Sequence, residues 1–166
     1  MTEGTTAIRI PPKGTKGTGM PGGKLLMKLF KPLADMNTSR FKNAKGPEQP
    51  KMMGFPILVL TTHGAKSGKE YSHALGGFPD GPDTWLIVAS NGGGAAHPAW
   101  FFNIAKNPDK VWIQVGNRKL KANVESLQGE EREKAYARVV AVAPNYGGYL
   151  KKTDREIPVI RLTPAS

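Results

Sequence analysis

After position 54 the chain alternates short apolar runs with turn-forming residues, a pattern that predicts several short strands. Phe55–Thr62 is a continuous apolar and β-branched run, which is typical of a buried strand. Turns rich in Gly, Pro and polar residues at 63–69 and 79–83 enclose a second strand, predicted at 71–78. Similar patterns predict further strands at 85–90, 110–115, 119–126 and 158–162.

Three segments are predicted to be helices instead. Between 24 and 36, Leu and Phe recur at helical spacing opposite three lysines, and Pro32 ends or kinks this basic amphipathic helix. Pro98 suits the first turn of a short helix over 98–104, and Glu130–Val142 has acidic residues in the first turn of a longer one. About six mostly antiparallel strands with two to four flanking helices predict a mainly β (α+β) fold, a small barrel with helices around it.

Composition divides the 166-residue chain into three segments, although its length suits a single core. Residues 1–23 are rich in Gly, Pro and Lys, so we expect a flexible or extended basic arm. Residues 24–54 form the amphipathic helix and a linker, and residues 55–166 form the barrel domain. The net charge is +11, of which residues 1–53, with ten Lys or Arg against three Asp or Glu, supply +7. This excess predicts a partner that carries negative charge: a phosphate, a polycarboxylate, nucleic acid or an anionic membrane.

Several classes of chemistry are excluded by residues that the chain lacks. Cysteine is absent, which excludes disulfides, thiolate catalysis and cysteine-ligated metals. The histidines, His63, His73 and His97, lie in separate segments without neighbouring carboxylates, so we expect no metal site. No apolar run is long enough to cross a membrane, and the first residues do not resemble a secretory signal. We therefore expect a soluble cytoplasmic protein.

The turn Gly64-Ala-Lys-Ser-Gly-Lys69 is the first candidate binding element. Its glycine-flanked backbone N–H groups, with Lys66, Lys69 and the Ser67 hydroxyl, can converge on a phosphate. It is not a Walker loop, because that motif needs four residues between its glycines and Ser or Thr after the lysine. The alternative is a solvated β-turn with incidental lysines.

A glycine-rich loop at 90–98 leads from a strand end into an aromatic helix. Gly92–Gly94 allow a flat or phosphorylated ligand to approach the backbone, and the following helix start offers N–H groups to an anion. The alternative is a flexible loop followed by core aromatic residues, Trp100–Phe102. Asn103, if it faces inward, needs a partner from its helix, the barrel or a ligand.

Two tyrosines, Tyr146 and Tyr149, follow the long helix in the sequence Pro-Asn-Tyr-Gly-Gly-Tyr, which predicts a loop. Their rings can stack on a flat ligand, and their phenols can offer a proton. Alternatively, they pack as a lid on the end of the barrel.

Taken together and in this order, the motifs resemble the deazaflavin-dependent nitroreductase and quinone reductase family of actinobacteria. The resemblance spans 55–163 and is carried by the stretches at 60–75, 85–115 and 143–162, of which PAWFFNIAKNP at 98–108 is the most specific. Members of this family are split β-barrel proteins that use coenzyme F420, an 8-hydroxy-5-deazaflavin. The resemblance therefore implies that fold, that coenzyme and no metal.

Individual positions acquire implied roles from this resemblance. Lys66, Ser67 and Gly68, with Lys69 beside them, match positions that bind the phosphate and glutamyl tail. The positions that match the lining of the deazaflavin are Ser72, His73, Ala74, Leu75, Gly76, Gly77, Val88, Ala89, Ser90, Asn91, Ala99, Trp100, Phe101, Phe102 and Asn103. Ala143 departs from the family members that activate bicyclic nitroimidazoles, which have tyrosine there.

The implied reaction is hydride transfer to a quinone, an enone or coumarin-type molecule, or a nitroaromatic acceptor. Tyr146 matches a tyrosine at the mouth of the active site, and we place Tyr149 beside it as a second substrate-binding residue. Ser90 and Tyr146 are the candidates to hydrogen-bond the developing negative charge or to relay a proton.

Two other functions and one location stay open at this point. A split-barrel oxidoreductase that binds FMN would share the fold. The basic composition also suits a non-enzymatic binder of nucleic acid or an anionic surface, although the basic residues are not interleaved with aromatic ones. The 24–36 helix either packs on the barrel or rests peripherally on the inner face of the cell membrane, where it would bring the site to menaquinone.

Overall fold

A computed structural model describes residues 8–17, 38–52 and 54–165. The strands are β1 (Lys51–Met52), β2 (Phe55–His63), β3 (Glu70–Gly76), β4 (Phe78–Pro79), β5 (Trp85–Val88), β6 (Trp112–Val115), β7 (Arg118–Ser126) and β8 (Val159–Pro164). The helices are α1 (Ala99–Lys106), α2 (Gly129–Val142) and α3 (Asn145–Lys152), with a 3-10 turn at Asn91–Gly93 and a helical segment at 38–42.

The strands form one curled antiparallel sheet. Its order is β1-β2-β6-β7-β8-β5-β4, and β3 pairs with β2 off this path. Because β3 pairs with β2 while the adjoining β4 pairs with β5, the two ends of the sheet meet and the sheet curls into a barrel. The predicted mainly β fold with antiparallel strands and flanking helices is confirmed.

The interior of the barrel holds the largest apolar cluster. Leu58 and Leu60 of β2 and Ile113 of β6 point inward and are almost completely buried. Phe101 and Ile104 of α1 are fully buried against the same cluster, so α1 closes one end of the barrel. A second cluster lies beneath α2 and combines α2 residues with residues of β4, β5 and the start of β8.

The single strand predicted at 71–78 is interrupted at Gly77. The Gly77 N–H donates to Pro56 O at 3.0 Å, and a Cβ on Gly77 would lie 2.2 Å from the Leu58 side chain. The chain therefore crosses β2 so closely that only glycine fits, and β4 begins in a new direction. Since β4 pairs with β5, this crossing connects β2 to β5 through β4.

The prediction of a loop around Tyr146 and Tyr149 is wrong, since both residues lie in the helix α3. Two consecutive glycines, Gly147 and Gly148, weaken a helix, which is why the sequence predicts a loop. Both tyrosine rings nevertheless pack against the second apolar cluster, and Pro144 has helical dihedral angles at the start of α3. Tertiary packing therefore outweighs the helix propensity of this segment.

Residues 8–17 form neither helix nor strand and lie against the barrel. Ile8 is buried in the barrel cluster, and the Gly14 N–H donates to Ala95 O at 2.9 Å. The amphipathic helix predicted at 24–36 lies outside the described residues. Of the helices in the described part of the chain, none is long and apolar enough to span a membrane.

Candidate functional site

The turn between β2 and β3 is held rigidly by its own backbone. The Gly64 N–H donates to Lys69 O at 2.7 Å, and the Gly68 N–H donates to Gly64 O at 2.9 Å. Gly68 has a φ of 69°, a left-handed conformation that favours glycine. The Lys69 N–H donates to the Ser67 hydroxyl at 3.2 Å. The turn is therefore preformed.

Two donors of this turn are left over. The N–H groups of Lys66 and Ser67 have no hydrogen-bond partner within the described residues. The side chains of Lys66 and Lys69 are exposed beside them. Successive free N–H groups flanked by ammonium groups can bind an anion, which is one of the two interpretations that the sequence left open.

Asn103 of α1 anchors the turn to the barrel. Its side-chain Oδ1 accepts from the Ala65 N–H at 2.9 Å, and its Nδ2 donates to the Thr62 hydroxyl at 3.2 Å. The partners that the sequence left open are thus the turn and the barrel. Asn103 still lines the cavity described next, but its Oδ1 is already engaged.

A cavity of about 640 Å³ lies between this turn, β3 and α1. Such a volume is typical of small-molecule sites. Tyr71, whose hydroxyl lies 3.3 Å from the Ser67 hydroxyl, is a lining residue that the sequence interpretation missed. The lining consists of Gly64, Ala65, Lys66, Ser67, Tyr71, His73, Ala99, Phe102 and Asn103.

The side chains of β3 alternate between two faces, so the predicted lining run 72–77 is divided. His73 faces the cavity, and Leu75 packs against the barrel cluster. Ser72 points to the other face, where its hydroxyl lies 2.8 Å from that of Thr61. The side chain of Ala74 is on that second face and packs against the cluster around Phe41. Only alternate residues of this run can therefore present side chains to a ligand in the cavity.

The aromatic residues of α1 also divide. Phe101 is fully buried in the barrel and belongs to the core, whereas Phe102 is 39% exposed and lines the cavity. Trp100 is half-buried against the barrel cluster, and Ala99 lines the cavity. The core interpretation therefore holds for Phe101, whereas Phe102 is placed where it could contact a ligand in the cavity.

At the end of β5 the chain enters the 3-10 turn. Val88 and Ala89 are buried in the two apolar clusters, so only their backbone is available to a ligand. Asn91 has a φ of 47°, and its side-chain Nδ2 donates to Ala96 O at 3.0 Å, which holds the glycine loop. Ser90 is nearly buried, and its hydroxyl has no hydrogen-bond partner within the described residues.

Helix α3, which carries Tyr146 and Tyr149, packs against this 3-10 turn. The Tyr146 ring lies edge-on to Phe78 and to Tyr149, at centroid distances of 5.4 and 5.2 Å. The Tyr146 hydroxyl lies over Gly76, where a Cβ would be 3.0 Å from it. A side chain at position 76 would displace this phenol.

The two phenols differ in what they can still bind. The Tyr149 hydroxyl accepts from Asn145 Nδ2 at 3.0 Å, whereas no described residue hydrogen-bonds the Tyr146 hydroxyl. Burial raises the pKa of Tyr146 to about 12, with a smaller contribution from Tyr149. Tyr146 therefore holds its proton at neutral pH and can donate it.

Arg155 is a residue of this region that the sequence interpretation did not single out. Its guanidinium is buried and donates to the carbonyl oxygens of Ala89, Ser90 and Gly94 and to His97. In the sequence it stands in the charged run Lys-Lys-Thr-Asp-Arg-Glu, which is indistinguishable from a solvated surface.

His97 joins this cluster to the N-terminal residues. Its Nε2 lies 2.7 Å from Pro11 O, a carbonyl, so this nitrogen is the donor. Its Nδ1 lies 3.1 Å from Arg155 Nη1 and accepts from it, which requires a neutral ring. Burial lowers the pKa of His97, and Arg155 lowers it further, which favours this neutral form. No group of His, Asp or Glu in the described ranges could hold a metal ion.

Comparison with known proteins assigns the chain to a family. The family model of the F420H(2)-dependent quinone reductases matches residues 34–164. An F420H(2)-dependent quinone reductase of Mycobacterium tuberculosis (strain H37Rv) is 37% identical over 113 residues, which cover 65% of this chain and 73% of that protein.

Two solved structures are similar over most of their length. The structure of an F420-H2-dependent reductase, FDR-A, has 38% identity and a TM-score of 0.59, and the match covers 68% of this chain and 98% of that one. A structure described as a domain-swapped dimer has 33% identity and a TM-score of 0.60, over 83% of this chain and 96% of that one.

These matches confirm the resemblance, the split β-barrel fold and the prediction of coenzyme F420. The family model covers most of the chain, including the turn at 64–69, the loop at 90–98 and both tyrosines. The chain therefore belongs to the F420H(2)-dependent quinone reductase family.

Proposed function

We propose that this chain reduces a quinone with F420H2, and that enones, coumarin-type molecules and nitroaromatics are further acceptors of the same site. The family assignment supports the quinone. Two groups of unengaged donors in the structure support the proposal. Two backbone N–H groups of the 64–69 turn lie beside the cavity, and the hydroxyls of Ser90 and Tyr146 lie where α3 packs on the 3-10 turn.

The residues of the turn suit the anionic part of the coenzyme. Lys66 and Lys69 supply positive charge, and the N–H groups of Lys66 and Ser67 are unoccupied in a turn that is already rigid. A preformed donor set costs little reorganisation when a phosphate or carboxylate binds. We assign the tail of F420 to this turn and the deazaflavin to the region between β3, α1 and the 3-10 turn.

When bound, F420H2 supplies a hydride, so the protein needs to orient the acceptor, exclude water and manage one proton. The face of α1 that carries Ala99 and Phe102 contributes an apolar wall, and His73 and Tyr71 of β3 contribute the opposite one. Tyr146 and Ser90 can each hydrogen-bond an oxygen that gains negative charge as the acceptor is reduced. Tyr146 can also relay the proton, since its raised pKa keeps the phenol protonated until the acceptor oxygen becomes the stronger base.

The residue at position 143 affects which acceptors the site reduces efficiently. Ala143 is completely buried in the cluster beneath α2, so this position places no aromatic ring in the site. We therefore expect efficient reduction of simple quinones and enones, and weak activation of bicyclic nitroimidazoles.

The direct experiment has two parts. Fluorescence titration with oxidised F420 measures binding, and oxidation of F420H2 is then followed with menadione, a coumarin and a nitroaromatic compound. We expect saturable binding and turnover with menadione. Absence of binding, together with a yellow chromophore retained after purification, would favour the FMN alternative.

A location at the inner face of the membrane is also part of the proposal, because many quinones are dissolved in the lipid phase and the chain carries a net charge of +11. The test is co-sedimentation of the full chain and of a 1–45 deletion with vesicles that contain anionic lipid. We expect only the full chain to sediment at low salt. Equal sedimentation of both proteins would remove the role of the N-terminal residues.

A further inference from the structure

Arg155, which packs against the loop that contains the 3-10 turn, has an unusual set of hydrogen-bond partners. Arg155 is 6% exposed, and its Nη2 donates to Ala89 O at 3.0 Å and to Ser90 O at 2.8 Å. Its Nε donates to Gly94 O at 2.8 Å, and its Nη1 donates to His97 Nδ1 at 3.1 Å. One guanidinium thus binds both ends of the 89–94 loop.

No carboxylate of the described residues forms an ion pair with this charge, since every hydrogen bond of the Arg155 guanidinium ends on a carbonyl or on the neutral ring of His97. A buried cation without an anionic partner is costly to stability, so its presence points to a role other than stabilising the fold. All four bonds hold the loop that follows β5.

The same bonds fix the direction of the peptide N–H groups in this loop. The peptide that contains Ala89 O also contains the Ser90 N–H, and the peptide that contains Ser90 O also contains the Asn91 N–H. Because these peptides are trans, each N–H points away from the carbonyl that faces Arg155. Neither N–H has a partner within the described residues. A cation on the carbonyl oxygen also polarises the peptide and strengthens its N–H as a donor.

We propose that Arg155 is a positioning residue that presents the N–H groups of Ser90 and Asn91 to an electron-rich oxygen or nitrogen of the bound coenzyme. Arg155 acts through the loop and does not touch the ligand. This inference rests on the proposed function, since it requires F420 to bind beside the loop. His97 completes the arrangement by orienting the guanidinium and linking it to Pro11.

The test compares Arg155→Lys with a matched control. A lysine ammonium cannot span the carbonyls of Ala89, Ser90 and Gly94 in the planar geometry of a guanidinium. We expect the dissociation constant for oxidised F420, measured without an acceptor, to rise by about tenfold or more. Arg132→Lys is the control, because Arg132 also donates twice to a backbone carbonyl, Ile157 O, at 3.0 and 2.8 Å. Its effect on the dissociation constant should stay within about twofold.

A second measurement uses the unchanged protein and does not depend on the folding of a variant. The amide signals of Ser90 and Asn91 are followed by NMR while oxidised F420 is added. We expect downfield shifts and slower hydrogen exchange at both amides. A folded Arg155→Lys protein with unchanged affinity, or amides of Ser90 and Asn91 that do not respond to saturating coenzyme, would overturn the inference. If the wild-type chain does not bind F420 at all, the proposed function fails instead.

Discussion

Tyr146 combines an unengaged hydroxyl with a protonated state that is stable over the working pH range. Replacing it with phenylalanine keeps the ring between Phe78 and Tyr149 and removes only the donor. We expect Tyr146→Phe to lower kcat with menadione by about tenfold or more, and to change the affinity for F420 much less. Because burial raises the pKa of Tyr146 to about 12, the wild-type rate should not fall as pH passes the usual tyrosine value of 10.

Tyr149→Phe is the companion variant for this prediction. Its hydroxyl is already engaged by Asn145, so its removal should have a smaller effect on kcat. Wild-type turnover in Tyr146→Phe would leave Tyr146 as a wall of the pocket, with solvent as the proton source.

His97 links stability to pH. Its pKa in the folded chain is lowered from 6.5 by burial and by Arg155, with the hydrogen bond to Pro11 O and, less strongly, Glu156 acting in the opposite direction. As pH falls below 6.5, the unfolded chain binds a proton at this position before the folded chain does, so the free energy of unfolding decreases. We expect the unfolding midpoint in urea to fall between pH 6.5 and 5 in the wild type, and to fall less in His97→Gln.

The same substitution at His63, which is half-buried and bonded to Gly68 O, is the control for this experiment. If His97→Gln and the wild type show the same pH dependence, His97 is not the group responsible. A loss that sets in only under more acidic conditions would point to Asp154, whose pKa is lowered to about 2, mainly by the Thr15 hydroxyl.

At the scale of elements, the 64–69 turn makes the most direct prediction about binding. We expect the double variant Lys66→Ala, Lys69→Ala to weaken F420 binding by more than about tenfold at low salt, because two charges beside the free N–H groups are lost. The difference from the wild type should shrink as salt is added. The double variant Lys110→Ala, Lys134→Ala removes the same charge elsewhere, and equal affinities in the two double variants would reject the assignment of the tail.

A substitution at Gly77 tests how tightly the chain crosses β2 where the barrel closes. A Cβ at this position would lie 2.2 Å from Leu58, so Gly77→Ala should lower the free energy of unfolding by about 1–3 kcal/mol. Gly148→Ala in α3 is the control, because nothing lies within 4 Å of its Cβ and alanine favours a helix. Thermal or urea unfolding measures both, and a neutral Gly77→Ala would show that the crossing is less tight than its geometry implies.

Elements were predictable from the sequence where local pattern and tertiary packing agree. The apolar run of β2 and the acidic start of α2 are such cases. The helix α3 was not predictable, because its glycines oppose a helix that only packing against the second cluster stabilises. The division of 72–77 between two faces follows from strand alternation, but the face that meets the cavity depends on pairing with β2.

At the scale of the whole molecule, the proposed site draws on five separate parts of the chain. The turn at 64–69, β3 and α1 line one cavity, while α3 packs on the 3-10 turn and places the Tyr146 hydroxyl over Gly76 of β3. The curl of the sheet brings these parts together. Family resemblance assigned implied roles to positions in these parts, whereas the sequence pattern alone left each motif with a structural alternative. Neither the resemblance nor the sequence pattern singled out Arg155, because its proposed role depends on its burial, which a charged run does not indicate.

The excess of basic residues also acts at this scale. A net charge of +11 attracts a polyanionic coenzyme, and the preformed turn is the place where we propose that its tail binds. Long-range attraction and local donors respond differently to salt, since salt screens the former far more than it screens short hydrogen bonds to the N–H groups of the turn. The two contributions can therefore be separated in the titrations described above.

A crystal structure of the chain with oxidised F420 tests the central claim most directly. We predict that the phosphate or a tail carboxylate contacts the N–H groups of Lys66 and Ser67, and that the deazaflavin lies beside Ser90 within reach of Tyr146. A coenzyme bound elsewhere, or a region beside the 3-10 turn that is filled by side chains while the coenzyme is saturating, would contradict it.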